Sequence, residues 1–572
     1  MFLFDLFRSF LPMHNPWGFG ASDFVEFALI ALVVGLVLAR GALEPFARRF
    51  AERTGWCMLL LFALPIVLRL ALAAHFPIPA PGGQDDYSYI LLADTLRHFR
   101  LTNPAHAMHQ FFETVFVLQQ PTYSSIYSPG QGLVLALGWN LFGHPWAGVA
   151  LGVGAFCALS YWMLRGWVAP VWALVGGLLA VAEFGPLNEW MNIYWGGAVS
   201  AAAGCLVFGA LPRLREPGAR SQEPEARRRT VRDALLLGAG LGIHMLTRPW
   251  ESIFLWIAAA AFLLLDWRRL LKFAPAAGVP VLAALALTLL HAHAVTGSWT
   301  TIPYAESRYQ YGVPTTFTFQ PAPVAHHDLT RQQRLTYEGQ TEAHDNAGPY
   351  VDRWAMRLRF YRFFLLAPLY LALPFFLSSL RERRFLWLAG TVLLFTLGTT
   401  FYPYFFPQYV ASTACLLLLA AIVGIERLSR LTPEGARVLL YLAGAHFLFF
   451  YGLHALGNDR VYIAMRHFES WDYVNFGDPE GRLAIDRQLA AIPGKKLVFV
   501  RYGPQHQFRE WIHNAADIDR APVVMALDRI SENAALRRYY PDRSAWLLEP
   551  DAIPPRLTPY KESDDSPFLD VK

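Results

Sequence analysis

Apolar runs, each about as long as a bilayer core is thick, recur along most of this chain. Roughly 20 apolar residues in a helix span a hydrocarbon layer about 30 Å deep. About twelve candidates are present, at 22–40, 56–75, 146–164, 170–184, 195–211, 234–248, 251–266, 274–294, 360–379, 385–402, 408–425 and 437–455. One of the shorter runs alone would suit a buried helix of a soluble protein, but so many together would not. Only 16% of the 572 residues are charged, against about 25% in an average soluble domain. The sequence therefore predicts a polytopic α-helical membrane protein with about 12 transmembrane helices. Cys57, Cys157, Cys205 and Cys415 all lie in apolar runs, where a thiol behaves as a small hydrophobe. Neither a disulfide nor a cysteine-built metal site is expected.

Short loops rich in Lys and Arg stay on the cytoplasmic side of a membrane. Here those loops are Arg40 to Arg53, Arg213 to Arg232, Arg268 to Lys272, Arg381 to Arg384 and Glu426 to Arg437, and Arg165 joins them. Placing them inside puts 76–144, 185–194, 295–358 and everything after about 456 on the outer face. The arginines of 295–358 run against the rule, but long loops cross regardless of charge. GQGLVLALGWNLFG (130–143) is short and bounded by Pro129 and Gly143, so it is expected as a helix lying in the outer interface. No cleavable signal pattern opens the chain. Residues 22–40 are thus expected as a retained helix and 1–21 as an interfacial segment. The net charge of +5 is spread over several short loops, which suits orientation signals and not a nucleic-acid surface.

After residue 456 the pattern changes. LVFVRY (497–502), VVMALD (523–528) and SAWLLE (544–549) read as short buried strands, with QHQFREWIHNA and ISENAALRRYY as helical connectors. Such alternation predicts a small C-terminal α/β soluble domain with parallel pairing. The expected divisions are 1–55 (extra helix and linker), 56–455 (transmembrane domain) and 456–572 (outer domain).

The strongest site signal is PGGQDDYSYILLADTLRHFR in the first outer loop. Gly82 and Gly83 break the chain, and Asp85 and Asp86 then open an amphipathic helix. The plainer reading is that acidic residues in a first turn satisfy the helix dipole. The functional reading is a general base that deprotonates a hydroxyl. Neighbours on a helix point about 100° apart, so one carboxylate can face a reacting atom while the other bonds locally.

Together with PTYSSIYSPGQGLVLALG (121–138), WMNIYWGGAVSAAAG (190–204), TRPWES (247–252), IPYAESRYQYGVP (302–314) and HQFREWIHNAADID (506–519), this loop resembles the GT-C superfamily of membrane glycosyltransferases. It is nearest the bacterial RgtA/B/C/D-like and protein-mannosyltransferase-like (family 39-like) branch. The resemblance implies a GT-C-like fold and inverting transfer of a sugar from a polyprenyl phosphate to an acceptor hydroxyl at the outer face of the inner membrane. The superfamily pair is often Asp-Glu and here is Asp-Asp; its pattern favours Asp85 as base with Asp86 in support. The acceptor class stays open between glycan, lipid and protein.

Other candidates follow from position. Arg248 precedes Pro249, a residue suited to a first helical turn, so it would stand beside a helix N-terminus that favours an anion. Arg308 and Tyr304 suit a phosphate or a sugar face. Glu189 and Asn192 could bond sugar hydroxyls, with Trp195 stacking on the ring. Interfacial anchoring and turn packing are the plainer readings of these residues. His106, His109, His326, His327 and His344 match no zinc spacing with enough ligands, and no cofactor is expected. Two other functions stay open: a lipid or sugar transporter (flippase), and a non-catalytic scaffold.

Overall fold

The computed structural model describes residues 43–215, 224–264, 267–456, 480–506 and 509–561. The expected helix at 22–40 and the interfacial segment 1–21 lie outside these residues, as does part of the basic loop after Arg213. Among the described residues, six helices are long and apolar enough to cross a membrane: Thr54–Ala71 (α1), Trp146–Leu164, Ala198–Arg215, Lys272–Thr296, Pro407–Leu431 and Pro433–Gly452. Pro170–Phe184 and Pro249–Leu264 are shorter apolar helices. Only 11% of the Lys272–Thr296 helix is buried, with Val279, Leu282 and Leu285 bare on its surface. An apolar helix so exposed requires lipid around it, and the chain is a multi-pass membrane protein.

Close packing of the bundle rests on small residues. Between membrane helices the gain comes from backbone approach and dispersion, since lipid is as apolar as leucine. A Cβ on Gly138 would lie 1.9 Å from the amide nitrogen of Gly148, and one on Gly238 2.0 Å from the Ala277 carbonyl. One on Gly204 would meet the Ser412 carbonyl at 2.1 Å. These positions admit nothing larger than glycine without separating two helices.

Most expected spans appear with shifted ends. The run at 360–379 does not form a continuous helix: it is split into short pieces, Tyr361–Phe364, Ala367–Ala372, Leu373–Leu377 and Ser378–Arg381. Pro368 and Pro374 explain this, because each removes a backbone donor and clashes with the preceding turn. The 130–143 segment is the helix Pro129–Phe142. Leu133, Leu137 and Leu141, four residues apart, form a bare stripe along it, as suits a helix lying against lipid.

At one end of the bundle the first loop supplies Gln84–Arg97 (α2) and a small three-stranded antiparallel sheet of Asn103–Pro104, Val117–Leu118 and Thr122–Ser125. Arg165, Arg384, Arg427 and Arg430 line one pocket at the opposite end. Three of the segments expected to share a face therefore border one pocket.

The C-terminal region carries a sheet of Lys495–Val500 (β1), Val523–Leu527 (β2), Arg543–Glu549 (β3) and Arg556–Pro559 (β4), ordered β2-β1-β3-β4. The first three strands pair in parallel as expected, and β4 adds an antiparallel edge. Residues 533–539 are helical, and an unanticipated helix, Arg482–Ala491 (α3), precedes β1. The connector around 505–515 is not helical among its described residues. Side chains satisfy its backbone instead: Glu510 accepts from the amides of Trp511 and Ile512, both at 3.1 Å. Asn514 pairs with Met525 at the edge of β2, donating at 2.8 Å and accepting at 2.9 Å. Such local bonds compete with helix formation.

This domain and the first loop share one apolar core, in which Leu91, Phe111, Phe112 and Tyr123 meet Leu497, Phe499, Ile518 and Val524. Asp94 joins them further, accepting from Arg97 and from the Ala516 amide, each at 2.6 Å. We expect Gly138→Val to force the Pro129–Phe142 helix away from its neighbour. Overpacking of this kind costs about 1–3 kcal/mol, read as a lowered thermal midpoint of the detergent-solubilised protein.

Candidate active site

The two adjacent aspartates diverge as helical geometry requires. Gly83 precedes α2 in extended conformation, and both carboxylates fall in the first turn. Asp86 turns into the protein, where its Oδ1 accepts from the Tyr194 amide and its Oδ2 from the Gly82 amide, each at 2.9 Å. Burial pushes its carboxyl up to about 6, although the two amides pull it down. Asp85 faces a cavity of about 670 Å³ and accepts a hydrogen bond from the Tyr127 hydroxyl. Burial raises its pKa above the ordinary carboxylate value, against the opposing pull of Tyr127 and of the Arg248 charge.

Arg248, Arg308, Tyr304 and Trp195 line the same cavity. Arg248 occupies the single residue between Pro224–Thr247 (α4) and Pro249–Leu264 (α5), so proline does begin the second helix. Its guanidinium lies 5.2 Å from the centre of the Tyr409 ring, and among the described residues no group hydrogen-bonds it. Arg308 stands over Tyr304 at 5.4 Å. Its Nε and Nη2 donate to the carbonyls of Pro314 and Thr315 at 3.1 and 3.3 Å. Two cations beside a carboxylate, within largely aromatic walls, make a pocket suited to an anion next to a proton acceptor.

Glu189, Asn192, Asp86, Trp195 and Asp85 line a second cavity of about 410 Å³. Asp85, Trp195 and Phe406 border both cavities, so Asp85 stands in the wall between them. Asn192 is not free to bind a sugar. Its Oδ1 accepts from the buried Arg69 at 2.8 Å, and its amide donates to the carbonyls of Asn188 and Pro186 at 2.8 and 3.2 Å. Glu189 accepts from Gln408 at 3.0 Å. Burial lifts its carboxyl to about 7, where the Asp86 charge adds to the rise and Gln408 offsets part of it.

Several lining residues carry no obvious sequence signal. Tyr127 stacks on Tyr89 with ring centres 4.3 Å apart, which aims its hydroxyl. Glu251, beside Arg248, is buried with its Oε1 lacking a partner. Tyr402 and Tyr404 come from the turn after the helix Arg383–Thr399, and Tyr409 from the start of the Pro407–Leu431 helix. Buried Arg357 fixes that turn by donating to the carbonyls of Thr399, at 3.1 Å, and Tyr402. Tyr127 and Glu251 fall within two of the stretches on which the family resemblance rests, 121–138 and 247–252, but nothing local marks them as cavity residues.

Among the described residues no group of three His, Cys, Asp or Glu side chains could hold a metal ion. His106 bonds Asp519 and Tyr540, each at 3.0 Å, His109 bonds Gln120 at 2.9 Å, and His344 bonds the Gln320 carbonyl at 2.9 Å. His326 stacks on Tyr309 at 4.2 Å, and His327 meets Tyr311 edge-on at 5.8 Å.

Fold and cavity together define a multi-pass membrane protein with a buried carboxylate between two chambers at one end of its bundle. No protein-family model and no curated protein matches the chain. Among solved structures it is similar to ArnT from Cupriavidus metallidurans bound to undecaprenyl phosphate, at 14% identity and TM-score 0.49, over 87% of this chain and 93% of that one. It is also similar to the oligosaccharyltransferase of Archaeoglobus fulgidus in complex with Zn and sulfate, at 12% identity and TM-score 0.43, over 85% and 67%.

Removing the Tyr127 hydroxyl should raise the Asp85 pKa further, because that hydrogen bond favours the ionised form. Infrared titration of Tyr127→Phe against Asp85→Asn would show the carboxylate band lost at higher pH than in the parent. A band unmoved by the substitution would contradict the contact.

Proposed function

We propose that this protein is a membrane glycosyltransferase that moves a sugar from a polyprenyl-phosphate-linked donor to an acceptor hydroxyl, with inversion. One observation carries the reading: Asp85 is held in the wall between two cavities, the larger of which also holds Arg248 and Arg308. The donor's phosphate occupies the arginine side and its prenyl chain leaves along the aromatic walls toward lipid. The acceptor approaches from the smaller cavity. Asp85 takes the hydroxyl proton as oxygen attacks the anomeric carbon, and the bond from that carbon to the phosphate oxygen breaks. The departing lipid phosphate takes the bonding pair and gains a second negative charge, which Arg248, Arg308 and the first amides of α5 stabilise. A transporter would place its ionisable groups near the membrane midplane, whereas this carboxylate belongs to a loop helix at the bundle's end.

Orientation belongs to the same reading. The arginine-lined end faces the cytoplasm of a bacterial inner membrane, and the first loop and C-terminal domain face outward. No nucleotide is required there, since the donor arrives with its lipid.

Asp85→Asn should lower sugar transfer by about 10²–10⁴-fold, the usual worth of general-base catalysis, while the protein stays folded and inserted. Radiolabelled transfer from a polyprenyl-phosphate-sugar pool measures this, and full activity would remove Asp85 from the role. In the parent, activity should fall as pH drops through the raised Asp85 pKa, because only the ionised form accepts a proton. The acid limb therefore lies above the usual value of about 3.9. A cysteine placed at Arg520, whose side chain is 89% exposed, should react with an impermeant thiol reagent in intact spheroplasts. Labelling only after lysis would reverse the orientation.

A further inference from the structure

The smaller cavity is not closed by the membrane bundle alone. Glu480 and Arg482, at the entry to the C-terminal domain, line it together with Glu189 of the bundle. Arg482 is 4% exposed and held from several directions. Its Nε donates to Glu480 at 2.6 Å and its Nη1 to the Tyr87 hydroxyl at 2.7 Å, while its guanidinium lies 4.4 Å from the Trp511 ring centre. Its Nη2 is buried with no hydrogen-bond partner. A buried donor left unpaired costs about 1–3 kcal/mol or more for a charged group, so the cavity wall holds an arginine that lacks one acceptor.

The groups around this cavity divide by availability. Both oxygens of Asp86 accept backbone amides, Asn192 is taken up by Arg69 and carbonyls, and Glu480 is paired with Arg482 and Arg509. What remains is one cationic donor (Arg482), one carboxyl of near-neutral pKa (Glu189) and Asp85, beside the Trp195 and Phe406 rings, which meet edge-on at 5.2 Å. The excess of carboxyl groups disfavours a phosphorylated acceptor. An extended peptide would present backbone donors and acceptors in series, and among the described residues no open strand edge lines the cavity to receive them. A pyranose fits this set: its hydroxyls donate to Glu189 and Asp85 and accept from Arg482, and its apolar face lies on an aromatic ring.

We infer that the smaller cavity is an acceptor site for an uncharged sugar, in which Arg482 of the C-terminal domain and Glu189 of the membrane bundle select the acceptor. This rests on the transferase reading for its catalytic meaning, but binding can be tested without turnover. The probes are methyl β-galactopyranoside and methyl α-mannopyranoside, with a serine hexapeptide and glycerol 3-phosphate as comparators. Saturation-transfer NMR on the full-length protein in nanodiscs should show at least one glycoside bound in preference to both comparators. Arg482→Met and Glu189→Gln should each weaken that binding by about tenfold or more. Glu189 lies on a different element from Arg482, so its variant decides the matter if loss of Arg482 disturbs the domain. Preference for the peptide or the phosphate, no glycoside binding at all, or binding unaffected by Glu189→Gln would overturn the inference. If glycosides bind as expected but no polyprenyl-linked sugar is transferred, the transferase reading fails and the sugar site stands.

Discussion

The site depends on the two hydrogen bonds that fix Asp86. A buried carboxylate is tolerated only when its lone pairs are met, and here the amides of Gly82 and Tyr194 meet them. One amide lies just before α2 and the other in the turn between two membrane helices. The same carboxylate thus closes the helix N-terminus and pins the first loop to the bundle. With Asp86 committed inward, the helical rotation of about 100° per residue leaves Asp85 no direction but the cavity. Asp86 thus follows the plainer reading of the acidic pair, a carboxylate held by backbone amides, and Asp85 is the one that faces the cavity.

A second constraint acts from outside the membrane. Between α2 and the Pro129–Phe142 helix the first loop has little regular structure beyond its small sheet, and it cannot bury its aromatic residues alone. It does so against the C-terminal domain, through a shared core and through Asp94, Tyr87 and Tyr123. Tyr87 stacks on His513 at 4.4 Å, and the Tyr123 hydroxyl donates to the Asn514 carbonyl at 3.2 Å. The domain is consequently part of the scaffold that holds α2, and through Arg482 it reaches the smaller cavity.

The electrostatics of the larger cavity follow from segments far apart in the chain. Arg248 breaks the path between two helices, Arg308 comes from the loop after the next membrane helix, Tyr402 and Tyr404 arrive from a turn tied down by Arg357, and Tyr409 from the helix that follows it. In a site walled largely by rings, charge interactions are strong because apolar surroundings screen them less than bulk water does. That is why Tyr127 and Arg248 both act on the Asp85 proton, while burial alone would favour its neutral form.

The sequence by itself determined the membrane class, the places of most of the described membrane helices, the parallel core of the C-terminal sheet and the loop that carries the acidic pair. Each depends on local hydropathy, charge or period, which need no partner to be legible. It misjudged 360–379, where composition promised a span that Pro368 and Pro374 interrupt, and 505–515, where side chains took the backbone bonds a helix would use. Tertiary structure alone decided that Asn192 is consumed by Arg69, that Tyr127 is the partner of Asp85, and that Arg482 closes the second cavity. Those are pairings across 123, 42 and some hundreds of residues, and no local pattern encodes which distant group will fill a buried hydrogen bond.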